Sequence, residues 1–285
     1  MSFSGKVFLR ADRKVQPRGE GILQVLVCIK QILDPEIPPR QFEVDRAAKK
    51  VLPGGAAWVI NPFDANAVEI ALQLKDRHKD CTVTALTLGG ETCGKVLRHA
   101  LAMGCDEAVW LKDPLFEELD SSGTARVIAR AIEKSGPVDL VLCGRQAGDW
   151  DMGQVGFLVA EELSLPCVTV ISRAEVQDGR LRLRREADRG EEILETGLPL
   201  LATITSSSLN QPRYPTAKGI VLAGRKKIRV WSAPDLGFMA KWARRVEIED
   251  LIVPHHERQV RMIEGEDGAA KGAGLVQALV GMKVL

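Results

Sequence analysis

The chain has 285 residues, 45% hydrophobic and 27% charged, which is enough apolar content for one large domain or two small ones and too much for wholesale disorder. Lys and Arg number 39 against 38 Asp and Glu, a formal charge of +1 that argues against a dedicated nucleic-acid binder. No window approaches the roughly 18 uninterrupted apolar residues of a membrane helix, so no membrane span is expected.

The first stretch is basic, with Lys6, Arg10, Arg13, Lys14 and Arg18 against Asp12 and Glu20, and it lacks the apolar core of a secretory signal. Residues 1–23 are expected to be a flexible extension. Residues 24–30 (QVLVCIK) read as a buried strand. A loop rich in Pro and Gly follows. In NPFDANAVEIALQLKDRH, Asn61 is expected to cap a helix, Pro62 suits its first position and Asp64 favours its positive end. The alternation then continues. Strands are expected at 81–88, 107–112, 138–143 and 166–171, and helices at 91–103, 121–135 and 152–163. This order predicts βαβ crossovers. The runs are apolar throughout, as a sheet covered on both faces requires.

Beyond residue 172 the texture changes. Asp178-Gly179 between two alternating runs is a hairpin signal, and GLPLLATIT (197–205) returns to a buried strand. Residues 206–231 hold a polar turn, a short helical stretch and the basic strip Arg225, Lys226, Lys227 and Arg229. The fold class is therefore α/β: a doubly wound, mostly parallel, Rossmann-like sheet with a β-hairpin insertion, spanning 24–235. Residues 236–285, with a helix near 269–281, have too few apolar residues for their own core. They are expected to form an extended arm on another subunit.

Six cysteines (Cys28, Cys81, Cys93, Cys105, Cys143, Cys167) form no CxxC pair and mostly sit in apolar runs. Reduced thiols in a cytoplasmic protein are the expectation, not a disulfide frame or zinc site.

In a doubly wound sheet, ligands bind beyond the carboxyl ends of strands. The most informative loop is GRQAGDWDMGQVG (144–156), which leaves a strand, carries Gly144, Gly148, Gly153 and Gly156, and feeds a helix. Backbone amides at such a junction form an anion cradle, and a nucleotide phosphate is the natural guest. The plain alternative is a Gly-rich turn. Asp149 and Asp151 repel phosphate; Asp151 is assigned to capping the helix, Asp149 to turn-building or to a ribose hydroxyl.

Other signals are weaker. GGETCGK (89–95) is half of a P-loop, but Val96 stands where the metal-binding hydroxyl belongs, which leaves Lys95 a helix-surface residue. His255 and His256 are adjacent and diverge, with no acid–His–Cys cluster, so no metal site is expected. Trp58 and Trp150 are read as core or as a lid.

Five blocks carry a resemblance: VLVCIKQ (25–31), INPFDANAVEIALQLKD (60–76), ALAMGCDEAV (100–109), GRQAGDWDMGQVG and LNQPRYPTAKGI (209–220). In this order they resemble the β subunit of electron-transfer flavoproteins, from Gln24 to Leu285. The resemblance implies a heterodimer whose α subunit carries the redox FAD. It implies a nucleotide in this chain: AMP in the respiratory type, a second FAD oxidising NADH in the bifurcating type. The family's nucleotide positions fall on Cys28, Asn61, Leu88, Ala147, Asp149, Gln154 and Val155 with the backbone of 144–156. No residue of this chain is implied as catalytic. Leu209 falls where the family anchors on an acyl-CoA dehydrogenase. A membrane-bound quinone or iron–sulfur oxidoreductase is a further implied partner type. Bifurcating members read D-G-D-T-A-Q-V-G in the phosphate loop and respiratory members D-x-D-x-N-x-T-G. This chain reads D-W-D-M-G-Q-V-G, flavin-like at Gln154-Val155-Gly156 but bulky at Trp150. A nucleotide-binding regulatory module without redox role is the alternative.

Overall fold

The computed structural model describes residues 6–8, 23–177, 180–188, 190–240, 244–253 and 260–285. The Asp178-Gly179 turn and the His255-His256 pair lie outside them. Among the described residues, ten strands form one sheet. They are β1 (Lys6–Phe8), β2 (Leu23–Cys28), β3 (Cys81–Leu88), β4 (Glu107–Leu111), β5 (Leu140–Gly144), β6 (Cys167–Gln177), β7 (Arg180–Ala187), β8 (Gly190–Thr196), β9 (Leu200–Ile204) and β10 (Arg229–Trp231). Their spatial order is β1-β8-β7-β6-β9-β5-β2-β3-β4-β10. Neighbours are parallel except along the insertion, where β6–β7 and β7–β8 are antiparallel. Within the stretch expected as an extension, β1 pairs parallel with β8.

The helices are α1 (Pro62–Arg77), α2 (Gly94–Met103), α3 (Ser121–Ser135), α4 (Val155–Glu162), α5 (Ala217–Arg225) and α6 (Gly268–Gly281). Alternate residues of β2 divide between two cores. Val25 and Val27 pack with Val68 and Leu72 of α1 and Leu97 of α2. Leu26 and Cys28 pack with Ile128 of α3 and Val159 of α4. The central strands are thus buried on both faces, which is why their sequences are continuously apolar. Local signals fix several boundaries. The Asp120 carboxylate accepts from the Gly123 amide at 2.8 Å and opens α3, and Gly104 at φ 134 closes α2.

From β2 the chain passes to β3 and β4 on one side, and β5 and β9 lie on the other. The direction of winding therefore reverses between β2 and β5, and the crevice beyond their carboxyl ends is where such sheets hold ligands.

The chain divides into two compact units, 1–43 with 51–249, and 44–50 with 250–285. Arg46 and Asp250 form an ion pair within the second unit. There α6 leaves Leu275, Val276 and Val280 exposed. Among the described residues, no helix is long and apolar enough to cross a membrane.

Candidate nucleotide site and partner loop

The start of α1 builds the crevice. Asn61 is fully buried, and its side chain makes no cap bond to α1, contrary to the sequence expectation. Its Nδ2 donates to the Gln146 carbonyl at 2.8 Å and its Oδ1 accepts from the Gly148 amide at 3.1 Å. The loop after β5 offers an unpaired carbonyl and amide at the right separation, and the longer-range pairing wins over the local cap. Asn61 is the clamp of that loop.

Asp64 also serves more than the helix dipole. Its Oδ2 accepts from the Lys30 amide and its Oδ1 from the Gly144 amide, each at 2.8 Å. One carboxylate thus ties the ends of β2 and β5 together across the switch point. Burial pushes its pKa up to about 7, although both amides, Asn61 and Lys30 favour the charged form. Only glycine fits at 144, since a Cβ there would lie 2.4 Å from Asp64 Oδ1 and 2.8 Å from Phe63 Cβ.

The 144–156 loop then turns back through Asp151 at φ 55 and Gly153 at φ 61. These left-handed residues keep the chain out of helix until Val155, later than the predicted start at 152. Asp151 does not cap α4. The N-cap is Gln154, with no side-chain cap bond, and Asp151 instead accepts from Gln146 Nε2. Among the described residues, the first-turn amides of α4 thus have no intrahelical or side-chain partner, which suits an anion. Gly156 packs α4 on β9, where a Cβ would meet Thr203 Cγ2 at 3.0 Å. Asp149 builds the turn by accepting from the Trp150 amide at 2.9 Å, and it pairs with Lys30 at 2.6 Å. Trp150 and Trp58 are both part-exposed, so neither is a core residue.

The remaining predicted positions line the same end of the sheet. Cys28 and Cys143 are register partners at the tips of β2 and β5. The hydrogen bond to Cys28 and burial hold the Cys143 thiol well above its ordinary range. Leu88 ends β3. Next to it, Gln31 ties the β2 and β3 loops by donating to Thr92 O at 2.9 Å and accepting from Thr92 Oγ1 at 2.6 Å. Lys95 is exposed on α2, as expected of a helix-surface residue. Among the described residues, no His, Cys, Asp and Glu gather into a metal-holding group.

Leu209 sits on a separate loop after β9 and is half-buried rather than fully exposed. The loop is pinned to α1. Asn210, fully buried, donates to Thr205 O and accepts from the Ser207 amide, each at 2.9 Å, while Asn66 Nδ2 donates to Asn210 O at 2.9 Å. Gln73 Nε2 donates to Leu209 O at 3.0 Å. The Arg213 guanidinium holds the buried Glu69 carboxylate at 2.8 and 3.0 Å and reaches Asp76 at 2.8 Å. These bonds raise the Arg213 pKa. Tyr214 stands 93% exposed beside this clasp. The sequence carried a signal for these partners: Asn66, Glu69 and Gln73 recur at i, i+3 and i+7 inside the otherwise apolar run 65–74, a polar stripe that needs something to face. In the basic strip, Lys226 Nζ donates to Cys105 O at 2.7 Å and Arg229 pairs with Glu107, so part of it is internal tie.

A family model described as "Electron transfer flavoprotein domain" matches residues 50–236. The chain is 37% identical over 215 residues to the caffeyl-CoA reductase-Etf complex subunit CarD of Acetobacterium woodii, covering 75% of this chain and 80% of that protein. It is 38% identical to the electron transfer flavoprotein subunit beta of Thermoanaerobacterium thermosaccharolyticum, with the same coverage. It is 37% identical over 220 residues to the subunit of that name from Bacillus subtilis, covering 76% and 84%. A likeness of this extent, on a doubly wound sheet with a glycine loop at its switch point, makes the chain a member of the electron transfer flavoprotein β-subunit family.

Proposed function

We propose that the chain is the β subunit of a heterodimeric electron-transfer flavoprotein and binds FAD or AMP in the crevice between β2 and β5. The observation that carries this reading is the uncapped start of α4 fed by a loop that Asn61 clamps at the switch point. The amides of 144–156 would take the phosphate. Ala147, Gln154 and Val155, with the tips of β2 and β3 at Cys28 and Leu88, would line the nucleotide. An acidic or basic residue for chemistry is not required of this chain, because a bound flavin supplies the electron chemistry and the protein binds and orients it. Gln154-Val155-Gly156 favours FAD, while Trp150 occupies the place of a small glycine. With FAD here the complex would oxidise NADH; with AMP the nucleotide is structural.

The α subunit carries the working FAD. The 236–285 arm packs against it, supported by the exposed apolar residues of α6 and by Ile252 and Met262. A relative named for a caffeyl-CoA reductase complex supports an acyl-CoA-processing flavoenzyme as electron partner. A membrane-bound quinone or iron–sulfur oxidoreductase is a suitable acceptor, and the cytoplasm a suitable compartment.

Gly153→Asp tests the loop. The substitution puts a side chain at φ 61 and a negative charge beside the phosphate. The purified complex is expected to lose the nucleotide of this chain, read by mass analysis after acid release. Full retention would refute the assignment. For Leu209→Ala, the loop backbone keeps its ties through Asn210 and Arg213. Electron exchange with the dehydrogenase is expected to slow about tenfold with cofactor content unchanged. Stopped-flow rates equal to those of the wild type would remove Leu209 from the interface.

A further inference from the structure

Lys30 is not among the nucleotide positions that the family resemblance implies, yet it stands at the mouth of the crevice. Its main chain is fixed at both polar atoms: the amide donates to Asp64 Oδ2 at 2.8 Å and the carbonyl accepts from the Asn61 amide at 2.9 Å. Its ammonium reaches across from the β2 loop to the β5 loop and meets Asp149 at 2.6 and 2.9 Å. The side chains are 44% and 29% exposed. An ion pair this open to water contributes little and breaks easily.

The pair also answers an electrostatic difficulty. A loop that offers amides to a phosphate carries two aspartates, and each would repel the guest. Asp151 is engaged by Gln146, and Asp149 by Lys30. An arriving phosphate is a more highly charged acceptor than a carboxylate and competes for the same ammonium. Asp149 then loses its counter-ion and needs a donor. A ribose offers hydroxyls that a bare phosphate does not.

We infer that Lys30 and Asp149 form an exchangeable latch that selects nucleotides over inorganic anions: Lys30 passes from Asp149 to the ligand phosphate, and Asp149 is compensated by a ribose hydroxyl. The inference rests on the loop assignment under Proposed function. It makes Lys30 a phosphate ligand and Asp149 a specificity residue, a charge that an anion without a sugar must overcome uncompensated.

The test uses the heterodimer stripped of nucleotide, with AMP and inorganic pyrophosphate as probes in equilibrium dialysis. Lys30→Met is expected to weaken AMP about ten- to a hundredfold by removing a charged hydrogen bond, and to flatten the salt dependence of binding. Asp149→Asn is expected to tighten pyrophosphate about five- to tenfold by removing a like charge. In the same variant AMP should gain less than pyrophosphate does, because the loss of the like charge is offset by a weaker, neutral acceptor for the ribose hydroxyl. Unchanged AMP affinity in Lys30→Met, or unchanged pyrophosphate affinity in Asp149→Asn, overturns the latch. If Gly153→Asp also binds AMP as the wild type does, the loop assignment itself has failed. If Gly153→Asp loses AMP while Lys30→Met does not, only the latch has failed.

Discussion

Gly144→Ala is expected to cost about 3 kcal/mol and to lower Tm by roughly 6–12 °C. The added Cβ would come within 2.4 Å of Asp64 Oδ1, 2.8 Å of Phe63 Cβ and 3.0 Å of the Asp64 amide. Two of those atoms belong to rigid parts of the α1 start and cannot rotate away. The third belongs to a carboxylate that cannot turn without releasing the amides of Lys30 and Gly144. The strand end must therefore retreat from α1, and the clamp at Asn61 moves with it. Gly148→Ala is the control. Its nearest neighbour would be Ile32 Cδ1 at 3.5 Å, an ordinary contact, so a loss below about 1 kcal/mol is expected. Thermal unfolding followed by circular dichroism separates the two. Equal Tm values for both variants would contradict the packing described for the β5–α1 junction.

The second large effect is a pH dependence set by Asp64. Its folded pKa of about 7 lies above the ordinary 3.8 because burial disfavours the charge. The folded chain thus binds this proton more tightly than the unfolded chain does. The stabilisation from protonation is fully present below about pH 4 and is lost as pH rises to about 7. The span corresponds to an amount on the order of 4 kcal/mol. Lys30 faces the carboxylate and limits the shift, while the neighbouring thiol of Cys143 remains protonated across this range. In Asp64→Asn the titrating group is gone. Denaturant unfolding from pH 5 to pH 8 should show the stability of the wild type falling relative to that variant, with the change complete near pH 7 to 8. Parallel curves for the two proteins would mean that Asp64 titrates at an ordinary value and is not desolvated as described.

Much of the architecture was readable in the sequence because its causes are local or periodic. The strand at 81–88 and the helix at 121–135 appear with the predicted limits, one marked by an apolar run and the other opened by the Asp120 cap. The glycine spacing of 144–156 marked the loop at the switch point. What escaped was pairing at long range. Asn61 and Asp64 have the composition of a helix start, and nothing local says that their side chains serve residues some 80 positions away. The same holds for Asp151, whose spacing suits a cap but whose left-handed backbone turns it toward Gln146. Strand β6 runs unbroken to Gln177, so the strand expected to end at 171 is continuous with the first arm of the expected hairpin, whose antiparallel partner is β7. The polar stripe of α1 was visible as an anomaly, but its partner, the loop from Thr205 to Arg213, is identified only by the fold.

The most direct measurement is the ligand inventory of this chain purified with its α subunit. Acid release followed by mass analysis and flavin absorbance should yield one nucleotide for each copy of this chain, as FAD or as AMP, in addition to the FAD proposed for the partner. A complex carrying the partner's flavin and nothing else would contradict a phosphate site at the β5–α4 loop.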